Sequence, residues 1–243
     1  MRELPSPNHG PRPDGARVDI LLVHFTGLPS ATIALDRLTS PESGVSAHYT
    51  IDEDGTLYRH VDEERRAWHA GAGCWLGCRD INSISIGVEL VNPGHEFGYR
   101  PFPALQMAAF RELAGDIIGR HAIPPERVLG HSDTAPARKQ DPGELFDWRG
   151  LAAAGIGLWP EPGPAPDPDD ASPATESEVA ALLSRFGYDG EGAGIPLTLL
   201  AFQRHFHPEW LSGLPLAETV RRLRALSRVP TTPLRSSLPP RTA

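Results

Sequence analysis

Two imidazoles and a carboxylate are the donor set of a catalytic zinc site, in which three protein ligands leave a fourth position for water. His24, His131 and Asp141 offer that set in chain order. His24 ends an apolar run, His131 ends the next plausible strand, and Asp141 lies in the loop that follows, where backbone freedom lets a carboxylate reach back. A zinc ion held there would bring the pKa of bound water to roughly 7 and act as a Lewis acid, the chemistry of metal-assisted hydrolysis. The chain has 10 histidines, so spacing by itself leaves other triplets open.

These residues need elements to place them. VDILLVHF (18–25) is nearly all apolar and rich in β-branched residues, the pattern of a central strand covered on both faces. HYTID and LYRHV flank Glu53-Asp54-Gly55, and the Asp-Gly pair predicts a hairpin over 48–61. SISIGVELV (83–91) alternates, with Ile84, Ile86, Val88 and Leu90 on one face and Ser85, Gly87 and Glu89 on the other. Glu89 then shares its face with two small residues, which leaves room for a cleft; an ordinary solvent-facing carboxylate is the other reading. Leu105, Ala109, Leu113 and Ile117, beside Phe110 and Ala114, predict a helix from Pro103 to His121. VLGH (128–131) reads as a short strand, and a further helix is expected near 145–154.

Interleaved strands and helices make the class α/β, a central mixed β-sheet flanked by helices. Residues 161–178 alternate Pro, Ala and acids, the composition of a stiff linker over 161–174. Beyond it, three apolar stripes (Val179 to Phe186, Ile195 to Phe206, Leu216 to Leu226) predict a small three-helix domain over 175–228, opened by a Thr175–Glu178 capping box. Residues 1–16 and 229–243 are Pro-rich and polar and read as flexible ends around a main domain of 17–160.

A net charge of −8 with no basic stripe argues against nucleic acid as a partner. No segment approaches the ~20 apolar residues of a membrane span, and the first residues carry no apolar signal core, so a cytoplasmic location is the default. Cys74 and Cys78 are too few for a disulfide framework; they read as small, partly buried side chains or as a local redox pair.

VHFTG around His24, VSAHYTIDEDG (45–55), RAWHAG (66–71), SIGVELVNPG (85–94) and GHSDTAPARKQDPG (130–143) stand in the order found in N-acetylmuramoyl-L-alanine amidases. Over 17–160 the chain resembles the AmpD/AmiD branch of that family. The resemblance implies the fold shared with peptidoglycan-recognition proteins and one zinc per chain on His24, His131 and Asp141. It also implies Glu89 as the residue that relays a proton and Lys139 as the cation facing the developing oxyanion. The substrate implied is the bond between N-acetylmuramic or 1,6-anhydro-N-acetylmuramic acid and L-alanine, cut in cell-wall turnover or recycling, with peptidoglycan or muropeptide fragments as partners and no protein partner. A non-catalytic recognition protein and a zinc peptidase acting on the stem peptide are the alternatives.

Arginines that some relatives carry to meet peptide carboxylates are replaced here by Gly44 and Asp80, with Arg79 one place away. His69 and Asn82 are candidates to line the cleft, with His69 equally readable as a buried, hydrogen-bonded histidine. Trp68 and Trp75 could stack on substrate or simply pack. The helical domain resembles a peptidoglycan-binding module in LLSRFGYD and LLAFQRHFHP, a shorter match, and would place the protein in the periplasm or cell envelope rather than the cytoplasm.

Overall fold

A computed structural model describes residues 1–161 and 174–236. A six-stranded mixed sheet runs in the order β1-β5-β4-β7-β3-β8. Next to the edge strand β8 (Val128–Gly130) lies β3 (Ile20–Phe25), parallel to β8 on one side and to β7 (Ser85–Leu90) on the other. Beyond β7 come β4 (Tyr49–Ile51), β5 (Leu57–Arg59), which pairs antiparallel with it, and β1 (Arg2–Glu3). The expected hairpin is present; of the Asp-Gly pair only Gly55 takes a positive φ, 85°.

Register decides which residues meet. Leu21, Val23 and Phe25 of β3 pair with Ile86, Val88 and Leu90 of β7, and Ile20, Leu22 and His24 pair with Ser85, Gly87 and Glu89. Side chains alternate across a strand, so the first set faces one side of the sheet and the second the other. Leu21, Val23, Ile86, Val88 and Leu90 pack on Phe110, Leu113, Ala114 and Ile117 of α4 (Ala104–His121). The stripe on this helix differs from the expected one at its start: Leu105 is exposed, while Gln106 is buried and donates from its amide to Ile51 O and Val91 O, both at 2.9 Å. The helix needs that polar side chain because it closes over backbone groups between β4 and β7.

The opposite face is covered by the C-terminal helices. α7 (Glu176–Phe186), α9 (Ile195–Phe206) and α10 (Ala217–Leu226) match the three expected stripes, and Thr175 accepts from the Glu178 N–H at the start of α7. Their apolar residues join Ile20, Leu22, Leu129, Trp75, Ile81 and Ile84 in one cluster. The helices therefore do not close a core of their own, as a separable domain would. The unbroken apolar run of β3 has its cause here: one face meets α4, the other meets these helices.

The ends also depart from expectation. Instead of hanging free, residues 1–16 supply β1, which extends the sheet, and β2 (His9–Pro11), which pairs antiparallel with β6 (Arg65–Ala67). Arg12 anchors this segment by donating to Ser83 O at 2.8 Å and Ser85 O at 2.9 Å. Of the expected flexible tail, residues 229–236 are latched: Arg235 donates from its backbone to Asp19 Oδ2 at 2.7 Å, and Thr232 to Glu126 Oε1 at 3.1 Å. Almost all of the expected linker, 162–173, and the last residues, 237–243, lie outside the described residues. Among the described residues no helix is long and apolar enough to cross a membrane.

Candidate active site

Three neighbouring parallel strands deliver side chains to one point, the carboxyl end of the sheet, where clefts of open α/β sheets form. His24 is the second-to-last residue of β3, and Glu89 is its register partner on β7. His131 follows Gly130, the β8 partner of Val23, and so stands level with His24; it opens α5 (His131–Thr134). Asp141 returns from the next loop, whose backbone is tied to α5 by the Ser132 N–H donating to Asp141 O at 2.9 Å.

His24 Nδ1, His131 Nδ1 and Asp141 Oδ2 form a triangle with edges of 2.9, 2.9 and 3.0 Å, and all three residues are buried. The outer nitrogens fix what the inner ones carry. His131 Nε2 lies 2.8 Å from Ala70 O, a carbonyl that can only accept, so that nitrogen bears the proton and Nδ1 presents a lone pair. A second chain runs through His24. Ser85 donates its hydroxyl to Ile81 O at 2.6 Å, leaving its oxygen to accept from His69 Nε2 at 3.3 Å; His69 Nδ1 then accepts from His24 Nε2 at 3.0 Å. His24 Nδ1 is thereby bare as well. Burial and the neighbouring His131 hold the His24 imidazole neutral, its pKa lowered to about 4. Burial pushes the Asp141 carboxyl up, but a proton shared with His131 or His24 outweighs it and holds the carboxyl below the usual carboxylate range. Two lone pairs and an anionic oxygen within 3.0 Å repel one another unless a cation sits among them. The donor chemistry fits zinc, and the carbonyl and imidazole partners behind the ligands are the outer support such sites use.

The triad opens into a cleft of about 460 Å³ lined also by Glu89, Lys139, His69, Trp68, Arg37 and Phe97. Glu89 Oε2 is buried and has no hydrogen-bond partner. Burial, then the Asp141 charge, raises its pKa well above the usual carboxylate range, with Lys139 opposing. A larger hollow near β5 and α4 is lined by Glu63, Arg59 and Arg120, which are held in ion pairs, and contains none of the triad.

His69 both lines the cleft and supports His24, uniting its two readings. The small face of β7 makes this possible: a Cβ on Gly87 would stand 2.5 Å from the His69 ring. His48 is structural, accepting from the Gly87 N–H at 2.9 Å. Asn82 does not line the cleft; buried at 7% exposure, its Oδ1 accepts from the His69 and Ala70 N–H groups at 3.0 and 2.8 Å and so shapes the loop behind the site. Arg79 does not replace the missing arginines, since it pairs with Asp189 at 3.0 Å and lies outside the cleft. Asp80 pairs with Arg66. The guanidinium that does line the cleft is Arg37, an exposed residue of α1 (Ala31–Thr39) that sequence reasoning passed over because nothing in its spacing marks it. Trp75 is fully buried under the C-terminal helices, while Trp68 faces the cleft.

Residues 14–144 match the N-acetylmuramoyl-L-alanine amidase family model, just over half of the chain. The chain belongs to this family. The amidase is 36% identical to N-acetylmuramoyl-L-alanine amidase AmiD of Escherichia coli over 223 residues, covering 84% of this chain and 80% of the relative. It is 32% identical to 1,6-anhydro-N-acetylmuramyl-L-alanine amidase AmpD of Enterobacter cloacae over 164 residues, 60% of this chain and 86% of the relative. The structure of E. coli AmiD with anhydro-N-acetylmuramic acid-L-Ala-D-γ-Glu-L-Lys superposes at TM-score 0.76, 35% identity, over 88% of this chain and 91% of that one. That of AmpDh3 from Pseudomonas aeruginosa with anhydromuramic pentapeptide gives 0.75 at 30% identity, over 88% and 92%.

Proposed function

We propose that the amidase cleaves the amide joining anhydromuramic or N-acetylmuramic acid to L-alanine in peptidoglycan fragments, with one zinc held by His24 Nδ1, His131 Nδ1 and Asp141 Oδ2. The observation that carries this reading is the 2.9–3.0 Å triangle of two lone pairs and an anionic oxygen, the lone pairs set by partners outside it. When bound, zinc polarises the scissile carbonyl and lowers the pKa of water to roughly 7.

The chain's own groups complete the reaction. Amide cleavage requires a proton to leave the attacking water and another to reach the departing nitrogen. Glu89 lines the cleft with one oxygen free of any partner and a raised proton affinity, which suits it to take the first and give up the second. Lys139 lines the same cleft and places a fixed cation where the tetrahedral oxygen becomes anionic, an interaction stronger in the transition state than in the substrate. Arg37 has no acidic partner among the described residues, which leaves it available to a carboxylate of the stem peptide.

The test is mass spectrometry of digests of an anhydro-muropeptide and of intact sacculi. Free peptides beginning at L-alanine are expected, lost on chelation and on Glu89→Ala, with the zinc content of that variant unchanged. Products cut within the peptide would assign a peptidase instead, and full activity of chelated enzyme and of Glu89→Ala would overturn the mechanism. The relative rates on the two substrates decide between a recycling role and action on polymeric wall.

A further inference from the structure

Asp133 is fully buried two residues past ligand His131, and it is gripped from three directions. Its Oδ2 accepts from the Gly130 N–H at 2.7 Å and from His205 Nδ1 at 2.7 Å, and its Oδ1 accepts from the Tyr188 hydroxyl at 2.6 Å. The first of these closes the turn of backbone on which His131 sits. The other two donors come from the C-terminal helices, Tyr188 just after α7 and His205 within α9, both beyond residue 144 where the family match ends.

Both donors are themselves fixed. The His205 ring lies between Trp148 and Phe206, with centroids 3.8 Å away on each side. The Tyr188 ring packs edge-on to Trp75 at 5.0 Å. Trp75 belongs to the CWLGC loop, which bonds to both parts: the Cys74 N–H donates to Thr134 O of α5 at 2.7 Å, and the Leu76 N–H to Gly187 O at 2.8 Å. A Cβ on Gly187 would stand 2.6 Å from the Trp75 ring, so this closeness depends on glycine. The CWLGC run is thus a clasp between α5 and the C-terminal helices, a use that explains its position without redox chemistry.

A buried carboxylate stripped of donors is costly, and the backbone around it rearranges to find others. We infer that Tyr188 and His205 are positioning residues of the metal centre: the C-terminal helices brace α5 through Asp133 and thereby set the His131 ring. This rests on the assignment of zinc to His24, His131 and Asp141, and it gives the helices a role in the reaction centre rather than only at the polymer.

The experiment uses the full-length chain with Tyr188→Phe and His205→Phe, which keep the rings and remove the donors. Zinc dissociation constants are measured by competition with a chromophoric chelator, cobalt(II)-substituted protein gives the ligand-field spectrum, and thermal melting of metal-free protein gives stability. Each variant is expected to raise the zinc Kd by on the order of tenfold, the lower end for groups behind a ligand, and to shift the cobalt bands. His205→Asn, whose amide N–H takes the place of the Nδ1 donor, is expected to bind as wild type does. Val220→Ala removes apolar contact from the same cluster without touching Asp133, and is expected to lower the melting temperature and leave Kd unchanged. Wild-type affinity and spectrum in both donor variants would overturn the inference, as would an equal loss of affinity in Val220→Ala. Absence of zinc binding by the wild-type chain would instead overturn the metal assignment itself.

Discussion

Gly87→Ala adds one methyl group to β7 between Ser85 and Glu89, and its effect can be worked out in advance. The new Cβ would stand 2.5 Å from His69 Cγ and Nδ1 and 2.7 Å from Cδ2. Non-bonded carbon atoms settle at ~3.5–4.0 Å, so the ring must retreat by about 1 Å. The atom that is struck, Nδ1, is the one that accepts from His24 Nε2 at 3.0 Å. A retreat of that size takes the pair to about 4 Å, past hydrogen-bonding distance. His24 then loses the partner that holds its proton on Nε2 and its lone pair toward the triad. Loss of such a support typically weakens metal binding ~10–100-fold, which is roughly 1.4–2.7 kcal/mol. Overpacking adds ~1–3 kcal/mol of destabilisation to the metal-free protein. The assays are chelator competition for zinc and denaturant unfolding of the metal-free form. Gly119→Ala on α4, where nothing lies within 4 Å of the added Cβ, is the comparison; it should gain up to about 1 kcal/mol from helix propensity and leave zinc affinity alone. Wild-type zinc affinity in Gly87→Ala would refute the chain of support drawn from Ser85 through His69 to His24.

Lys139→Met should lower kcat by ~10²–10³, as loss of one oxyanion-stabilising group does, with metal content by elemental analysis and KM little changed. Arg37→Ala should raise KM by up to about fivefold, the most that an exposed ion pair supports, and the effect should vanish on a substrate whose stem carboxylates are amidated. Buried His48 has its pKa lowered to about 3 by burial first and Arg12 second. The unfolded chain therefore binds its proton first as pH falls, so the stability His48 contributes is intact above ~6.5 and is lost between there and about 3, by about 2 kcal/mol at pH 5; urea titrations at pH 7 and 5 should show a smaller difference in His48→Gln.

The sheet was legible in the sequence because it follows from short-range pattern, whereas spacing left the triad open among 10 histidines and only the ordered motifs of the family resemblance singled it out. Alternation over 85–90 placed Glu89 opposite Ile86 and Val88, and the apolar run to His24 required a strand covered twice. What pattern could not say is what does the covering. The α4 stripe was read from Leu105, yet Gln106 is the residue turned inward, since only the pairing of β4 with β7 creates the two carbonyls it serves. The ends were read from composition as loose. Strand addition at β1 and the Arg235–Asp19 contact each join residues far apart in the sequence, and composition does not encode such pairing. Asn82 and His69 were both assigned to the cleft, but a buried amide that accepts from two backbone N–H groups is recognised only once the loop is closed. Asp133 lies within a motif that was recognised, but its donors lie 55 and 72 residues further along the chain.

Asp141 and Glu89 line the same cleft, and their contrast shows how the fold assigns different work to two carboxylates. Asp141 comes from a loop and arrives between two imidazoles, where a proton or a metal shared among the three donors outweighs its burial and keeps it an anion. Glu89 comes from β7, beside the strand that carries His24; its buried Oε2 finds no hydrogen-bond partner, and the charge of Asp141 acts on it as a like charge. The same burial that Asp141 overcomes therefore governs Glu89 and raises its affinity for a proton. Environments that push two acids apart in this way suit the one to hold a metal and the other to carry a proton, the roles proposed for Asp141 and Glu89. The separation depends on the triad staying intact: a change that unseats His24 or His131 weakens the hold on Asp141 and, through its charge, alters Glu89 as well. The supports behind the triad, Ser85 and His69 on one side and Asp133 with Tyr188 and His205 on the other, are thus expected to act on proton transfer and metal binding together, so that a variant in either chain of support shifts the pH profile of kcat along with the zinc Kd.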